Sequence, residues 1–220
     1  MAKTTFLSDA LLNAVLRNTT YTSPVTVYAG LISAVTDLEA GTVTEAAYTG
    51  YARAAAAFGA PAANSGARRC QNSGLLSFGK RTDAGSTDMI AFGIWDASTA
   101  GNLLYCGFLD SVRHFVAICA DTTGDLFTAI AHGLAADQRV RFEVIPDADT
   151  LPTPIAENTL YWVIAGGLTA DLFAVSTTQG GASVAITAKG EARVWKQTNI
   201  TVSLNDTPQI EANALSIFEE

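Results

Sequence analysis

The residues of this 220-residue chain whose types could carry chemistry are few: two histidines, three cysteines, three tryptophans and a scatter of carboxylates. His132 stands directly before Gly133 and His114 stands apart, and no Ser, Cys or carboxylate sits at a nucleophile or metal-ligand spacing beside either. A histidine at a turn is better explained as a capping or hydrogen-bonding group, so no catalytic residue is assigned. Cys70, Cys106 and Cys119 are odd in number and lack a CxxC or Cys/His spacing, which indicates neither a disulfide framework nor a zinc site. The acidic stretches at 121–125 and 147–149 match no calcium-loop pattern and read as solvated turns. Gly50, Gly66, Gly79, Gly93 and Gly107 form no dinucleotide or P-loop arrangement. No metal and no cofactor is therefore expected.

The aromatic residues remain. Trp95, Trp162 and Trp195, with Tyr21, Tyr28, Tyr51, Tyr105 and Tyr161, suit either interface anchors or a sugar-stacking platform, with core packing the default for most of them. No pair of carboxylates flanking an aromatic cleft can be argued from the sequence, so hydrolysis of a polysaccharide has no support.

Charge narrows the partners. The chain carries 13 Lys and Arg against 21 Asp and Glu, a formal net charge of -8, and its only close basic pairs are Arg68-Arg69 and Lys80-Arg81. Phosphate binding needs clustered cations, so a nucleic-acid groove is not expected. Only 15% of residues are charged while Ala, Thr and Gly abound, a balance that fits a protein covering its surface with neighbouring copies. The N-terminus has one Lys, no long apolar core and no small-residue cleavage site, so it does not read as a signal peptide. No run long enough to span a membrane is present. Synthesis in a reducing cytoplasm is the expectation.

Positioning falls mostly to strands. Leu7, Leu11 and Val15 recur four apart, with Thr5 or Ser8 as N-cap, and predict one short amphipathic helix. From Val25 to Ile32 alternation with both faces largely apolar predicts a central strand. Residues 51–58 are alanine-rich, but Pro61 and flanking glycines leave no room for a stable helix, so a strand is expected. Further strands are expected at 75–78, 89–95 and 103–109, joined by Gly, Ser, Asp and Asn turns. Beyond about Val116 the texture changes to a self-contained β unit, with strands at 126–131, 139–145, 160–165, 171–176, 183–187 and 191–195. Alternation returns at 200–218, as if the chain ends by closing its first domain. The expected fold class is mainly β: a β-sandwich or jelly-roll-like main domain of residues 1–115 plus 198–220, with one short N-terminal helix and an inserted small β domain of residues 116–197.

Several stretches carry a family resemblance. They are Leu7-Ser8-Asp9-Ala10-Leu11-Leu12-Asn13, Thr20 through Leu31, Thr49-Gly50-Tyr51-Ala52-Arg53, Phe92-Gly93-Ile94-Trp95-Asp96-Ala97 and Gly101-Asn102-Leu103-Leu104-Tyr105-Cys106-Gly107. With Val202 through Ile210 and Asn213-Ala214-Leu215-Ser216-Ile217, the chain resembles small tailed-bacteriophage structural proteins usually labelled tail fibre or minor tail protein. In the usual member the segment after Gly107 continues directly to one like Val202. The intervening stretch, through Ala131-His132-Gly133-Leu134, Arg139-Val140, Leu151-Pro152, residues 159–164 and Asp171-Leu172-Phe173, resembles a β module recurrent in phage structural proteins.

The resemblance implies a non-enzymatic protein on the virion exterior, made in the host bacterial cytoplasm and bound to other virion proteins of capsid, neck or tail. It implies a homo-oligomer, with a trimer as one closed grouping. No coiled-coil heptad, collagen triplet or β-helix period supplies a fibre shaft, which favours a decoration, cement or collar-type subunit. The alternative is a tail-fibre or tail-tip protein that touches a host glycan or receptor. Expected interface residues are Leu7, Leu11, Val15, Tyr28, Tyr51, Arg53 and Trp95, and expected outward contacts are Tyr161, Trp162 and Trp195.

Overall fold

A computed structural model describes residues 2–64, 66–119, 122–145, 150–157, 159–197 and 200–219. The chain is mainly β with one short N-terminal helix. It divides into two compact units, Met1–Leu109 with Asn199–Glu220, and Asp110–Thr198.

In the first unit the main sheet runs in the order Ala2–Lys3, Leu103–Phe108, Ala91–Trp95, Val27–Asp37, Thr42–Glu45, and Ala54–Ala56 also pairs with Val27–Asp37. Ala29, Gly30, Leu31 and Ile32 are all buried, as are all five residues of Ala91–Trp95, so the centre of the sheet is covered on both faces. One face, through Ala29, Leu31, Phe92 and Ile94, joins a core completed by Leu76, Met89, Val202, Leu215 and Ile217. Leu76, Met89, Val202 and Ile217 lie in three small sheets, Leu215 directly precedes a strand of one of them, and the chain's last described stretch gives a strand to each. Ile200–Ser203 pairs with Ser86–Met89, Gln209–Ile210 with Leu76–Ser77, and Ser216–Glu219 with Ala67–Gln71. The layered result is sandwich-like, and the alternation at 200–218 is the closing layer.

The helix is Thr5–Leu16 and its N-cap is Thr4, one residue before Thr5 and four before Ser8, the two expected caps. The Thr4 hydroxyl accepts from the Leu7 N–H at 3.5 Å and donates to the Leu103 carbonyl at 2.6 Å, so the cap also ties the helix to the main sheet. Asn18, in the left-handed region at φ 53°, ends it, and the Thr19 N–H returns to the Asn13 carbonyl.

The second unit is one sheet in the order Leu172–Phe173, Phe127–Thr128, Asp110–Cys119, Gly190–Gln197, Arg139–Glu143, Leu160–Val163, Val175–Ser176. Its two outermost strands are consecutive in the chain, and Ala174 between them accepts from the Ile164 N–H. The sheet therefore wraps round as a small barrel. Phe127, Val140, Phe142, Val163, Phe173, Val175 and Val194 fill it, with Phe127 stacked on Phe173 at 5.2 Å between centroids. Entry and exit of the chain lie side by side, because Asp110 pairs with Gln197.

Several strand expectations change in detail: the strand expected over 126–131 is confined to Phe127–Thr128, and the one over 171–176 divides into Leu172–Phe173 and Val175–Ser176. The strand expected over 51–58 is confined to Ala54–Ala56. Residues 183–187 form no strand, because their hydrogen bonds are divided: the Val184 N–H goes to the Val175 carbonyl, the Thr187 N–H to the Thr153 carbonyl, and the Ser183 hydroxyl and Ile186 N–H to the Asp125 carboxylate. Asp121, the stretch 147–149 and the residues at the 198 boundary lie outside the described residues.

Candidate interaction surfaces

The stretches around Tyr51 and Trp95 meet over the second face of the main sheet. Gly30 and Gly93 are cross-strand partners in adjacent strands. A Cβ on Gly93 would stand 2.5 Å from the Trp95 ring and 2.6 Å from Leu103, and one on Gly30 would stand 2.7 Å from both the Trp95 ring and the Tyr51 hydroxyl. The indole thus lies on a floor of two glycines. Arg53 covers its other side, with the guanidinium carbon 4.2 Å from the ring centroid.

Glu45 locks this arrangement. Arg53 binds it through two parallel hydrogen bonds, Nε to Oε1 at 2.8 Å and Nη2 to Oε2 at 2.7 Å, the fork geometry that guanidinium and carboxylate favour. Tyr51 donates to Oε1 at 2.8 Å and accepts from the Leu31 N–H, while Arg53 Nη1 donates to the Ala97 and Ala100 carbonyls. Burial, and then the adjacent Glu45 carboxylate, push the Tyr51 hydroxyl well above its ordinary pKa. Tyr28 is half-buried and is the register partner of Trp95. Three of the residues expected at an interface, Tyr51, Arg53 and Trp95, are therefore joined to each other within the unit, and Trp95 is only 5% exposed. Glu45 was not anticipated from the sequence. The signal lay in Tyr51 and Arg53 being two apart in extended chain, hence on one side and able to share an acceptor.

The helix divides differently. Leu7 is buried and Leu11 half-buried, but Val15 is 79% exposed, and Leu12 and Leu16 stand out beside it at 56% and 75%. Lys3, Ser8, Leu11, Leu12, Val15 and Leu16 line a shallow, mostly apolar groove. The sequence signal for the additional pair is the doubling Leu11-Leu12 and Val15-Leu16, since neighbours 100° apart on a helix cannot all face one core.

On the barrel, strand alternation sends Tyr161 inward and Trp162 outward. Tyr161 is buried, packs edge-on against Phe142 at 5.5 Å and accepts from the Ala156 N–H, so it serves the core. Trp162 and Trp195 are half-buried on the outer face, each beside an arginine: Arg139 lies 4.4 Å from the Trp162 ring and Arg141 4.8 Å from the Trp195 ring. Trp195 also donates its indole N–H to Glu143 at 2.6 Å, and Glu143 pairs with Arg193 at 3.6 Å.

The groups first considered for chemistry have structural partners. His132 is buried, its Nδ1 accepts from the Leu134 N–H and its Nε2 faces the Leu172 carbonyl at 3.3 Å. Burial pushes the Cys106 thiol up to about 12, and its Sγ faces the Leu38 carbonyl. Among the described residues no three His, Cys, Asp or Glu side chains gather as a metal set. Nor, among them, is any helix long and apolar enough to cross a membrane.

In comparison with known families, the family described as podophage GP4 fiber I protein gp80 matches residues 2–131. No curated protein matches the chain. The matched span covers the first unit's leading segment through Leu109 and the first strands of the barrel.

Proposed function

The chain belongs to the podophage GP4 fiber I protein gp80 family, and from that membership we propose that it is a non-enzymatic subunit of the fibre apparatus on the outside of the virion. It is a phage structural protein, and the family match is the observation that carries the fibre reading over the decoration or cement role. In this reading the first unit is the assembly body. Its helix offers Leu12, Val15 and Leu16 to a neighbouring virion subunit, and each such side chain contributes about 1.5–3 kcal/mol when fully buried. Copies of the chain group with closed symmetry, of which a trimer is one form.

The barrel is the part turned towards the host. Support comes from its own closed core and from entry and exit strands paired at Asp110 and Gln197, which let a module be set into a body without disturbing its sheets. We read it as the β module recurrent in phage structural proteins.

A collar or decoration role is the second reading. The absence of a heptad, triplet or β-helix period favours it, because a host-reaching fibre usually needs a shaft. Antibody against residues 110–198, applied to purified particles and counted by electron microscopy, separates the two. A few labels at the tail support the fibre reading; hundreds over the head replace it with decoration, and label confined to the neck replaces it with a collar.

A further inference from the structure

We infer that the exposed face of the helix Thr5–Leu16 binds the same helix of a second copy of this chain, the two crossing antiparallel about a twofold axis. The inference rests on the reading that this helix meets a neighbouring virion subunit, and names that neighbour.

Leu11 with Val15, and Leu12 with Leu16, are two rows of residues four apart, and the shallow apolar groove runs along them. Rows of this spacing form ridges, and the groove beside one is the shape that a like ridge of another α-helix fills, with the axes about 8–10 Å apart. Leu12, Val15 and Leu16 stand out of the surface as such a ridge would need to. Groove and ridge therefore lie on one face, which is what a twofold contact between identical surfaces requires.

The charges fix the direction. Asp9 and Arg17 are exposed and lie equally far on either side of Asn13, while the four apolar residues are centred on the Asn13–Ala14 peptide. By the helix period both charges fall on the Leu16 side of the rows rather than the Leu11 side. Like flanks meet in an antiparallel pair, so Asp9 of one copy faces Arg17 of the other, and the twofold repeats the contact. In a parallel pair or parallel trimer unlike flanks meet, and the two charges stay apart. Among the described residues Asp9 has no ion-pair partner within the chain, and Arg17 gives one N–H to Asn13 Oδ1 at 3.0 Å and keeps its other donors. Antiparallel packing also sets the helix dipoles against each other favourably. Each copy carries a net charge of -8, and one helix face is smaller than the about 800 Å² per partner of a stable complex, so the pair is weak in free solution and completed where assembly holds copies together.

Sedimentation equilibrium of the full chain, up to about 1 mM, is the test. A monomer–dimer equilibrium is expected. Leu16→Glu, and Val15→Glu as a second variant at an equally open position, should weaken it about tenfold or more with unchanged circular dichroism. Asp9→Arg and Arg17→Asp should each weaken it about fivefold, and the two together should restore it. Monomers at every concentration, trimers, association unmoved by Leu16→Glu, or a double reversal that does not restore would overturn the inference. So would flotation of the chain with phosphatidylglycerol vesicles, lost in Leu16→Glu, in place of self-association. Incorporation into particles separates this from the assembly reading. A monomeric wild type with Leu16→Glu missing from particles means that the helix meets a different virion subunit, whereas Leu16→Glu entering particles normally after losing self-association removes the assembly reading and leaves the dimer.

Discussion

Gly30 and Gly93 face each other across two central strands, and the Trp95 indole lies over both. A tryptophan two residues after a glycine on one strand leans back over the space where a side chain would be, and the partner strand must leave the same space. Gly93→Ala would push a methyl into Trp95 and Leu103 at once. Overpacking of this kind costs about 1–3 kcal/mol. A denaturant midpoint lowered by that amount with unchanged slope is the expected result, and an unshifted midpoint would mean the ring moves freely.

Arg53 sits at the centre of the same cluster, with its side chain 7% exposed and that of Glu45 27% exposed. Removing one partner of a buried ion pair leaves the other charge without compensation, so Arg53→Ala should destabilise the first unit by about 2–4 kcal/mol. Arg53→Lys keeps the charge but lacks the planar fork and the stack, and should recover little of the loss. Glu45→Gln combined with Arg53→Ala should cost less than the two single changes added together. Additivity in that double-mutant cycle would remove Glu45 from the account.

Much of the architecture is legible from residue pattern, and the reasons are local. Leu7, Leu11 and Val15 announce the helix because its period is written in the sequence, and Ala91–Trp95 reads as a buried strand because it is apolar throughout. Long-range partners leave no such trace. The spacing of Tyr51 and Arg53 points to a shared acceptor but not to Glu45, eight residues earlier on an edge strand, and nothing near residues 183–187 reveals that Asp125 accepts from the Ser183 hydroxyl and the Ile186 N–H. Tyr161 and Trp162 look equivalent as aromatic neighbours until alternation is applied with a known inward side, which the flanking Val140 and Val163 define.

Tyr48 gives a pH dependence of definite sign. Burial pushes its hydroxyl up to about 12 against the partly opposing effect of Arg81, and it donates to the Phe78 and Gly79 carbonyls. In the unfolded chain the group ionises near 10. The folded state therefore holds the proton more tightly than the unfolded state above pH 10, and the stability this represents is complete below pH 10 and falls away as pH rises towards 12. The loss is roughly 2–3 kcal/mol. Tyr48→Phe should flatten that part of the alkaline stability curve, while being less stable at neutral pH because two carbonyls lose their donor. Tyrosinate absorbance of wild type minus variant should show one group titrating near pH 12; a midpoint at the ordinary value of about 10 would contradict the burial argument.

The junction of the barrel supports a prediction about independence. In the first unit the Leu109 N–H bonds to the Ile90 carbonyl and Ile200 pairs with Met89, so the two ends of the inserted segment leave from adjacent positions on one piece of chain. Closing a short loop there costs little entropy, growing only slowly with length. Replacement of residues 110–198 by four to six Gly and Ser residues should accordingly leave a body that folds with Ile200–Ser203 still paired to Ser86–Met89. Amide exchange is the measurement to make. Protection of the Ile90 and Leu109 amides retained at near wild-type levels would show that the first unit is complete without the barrel, whereas collapse of protection along both strands would make the barrel part of one cooperative fold.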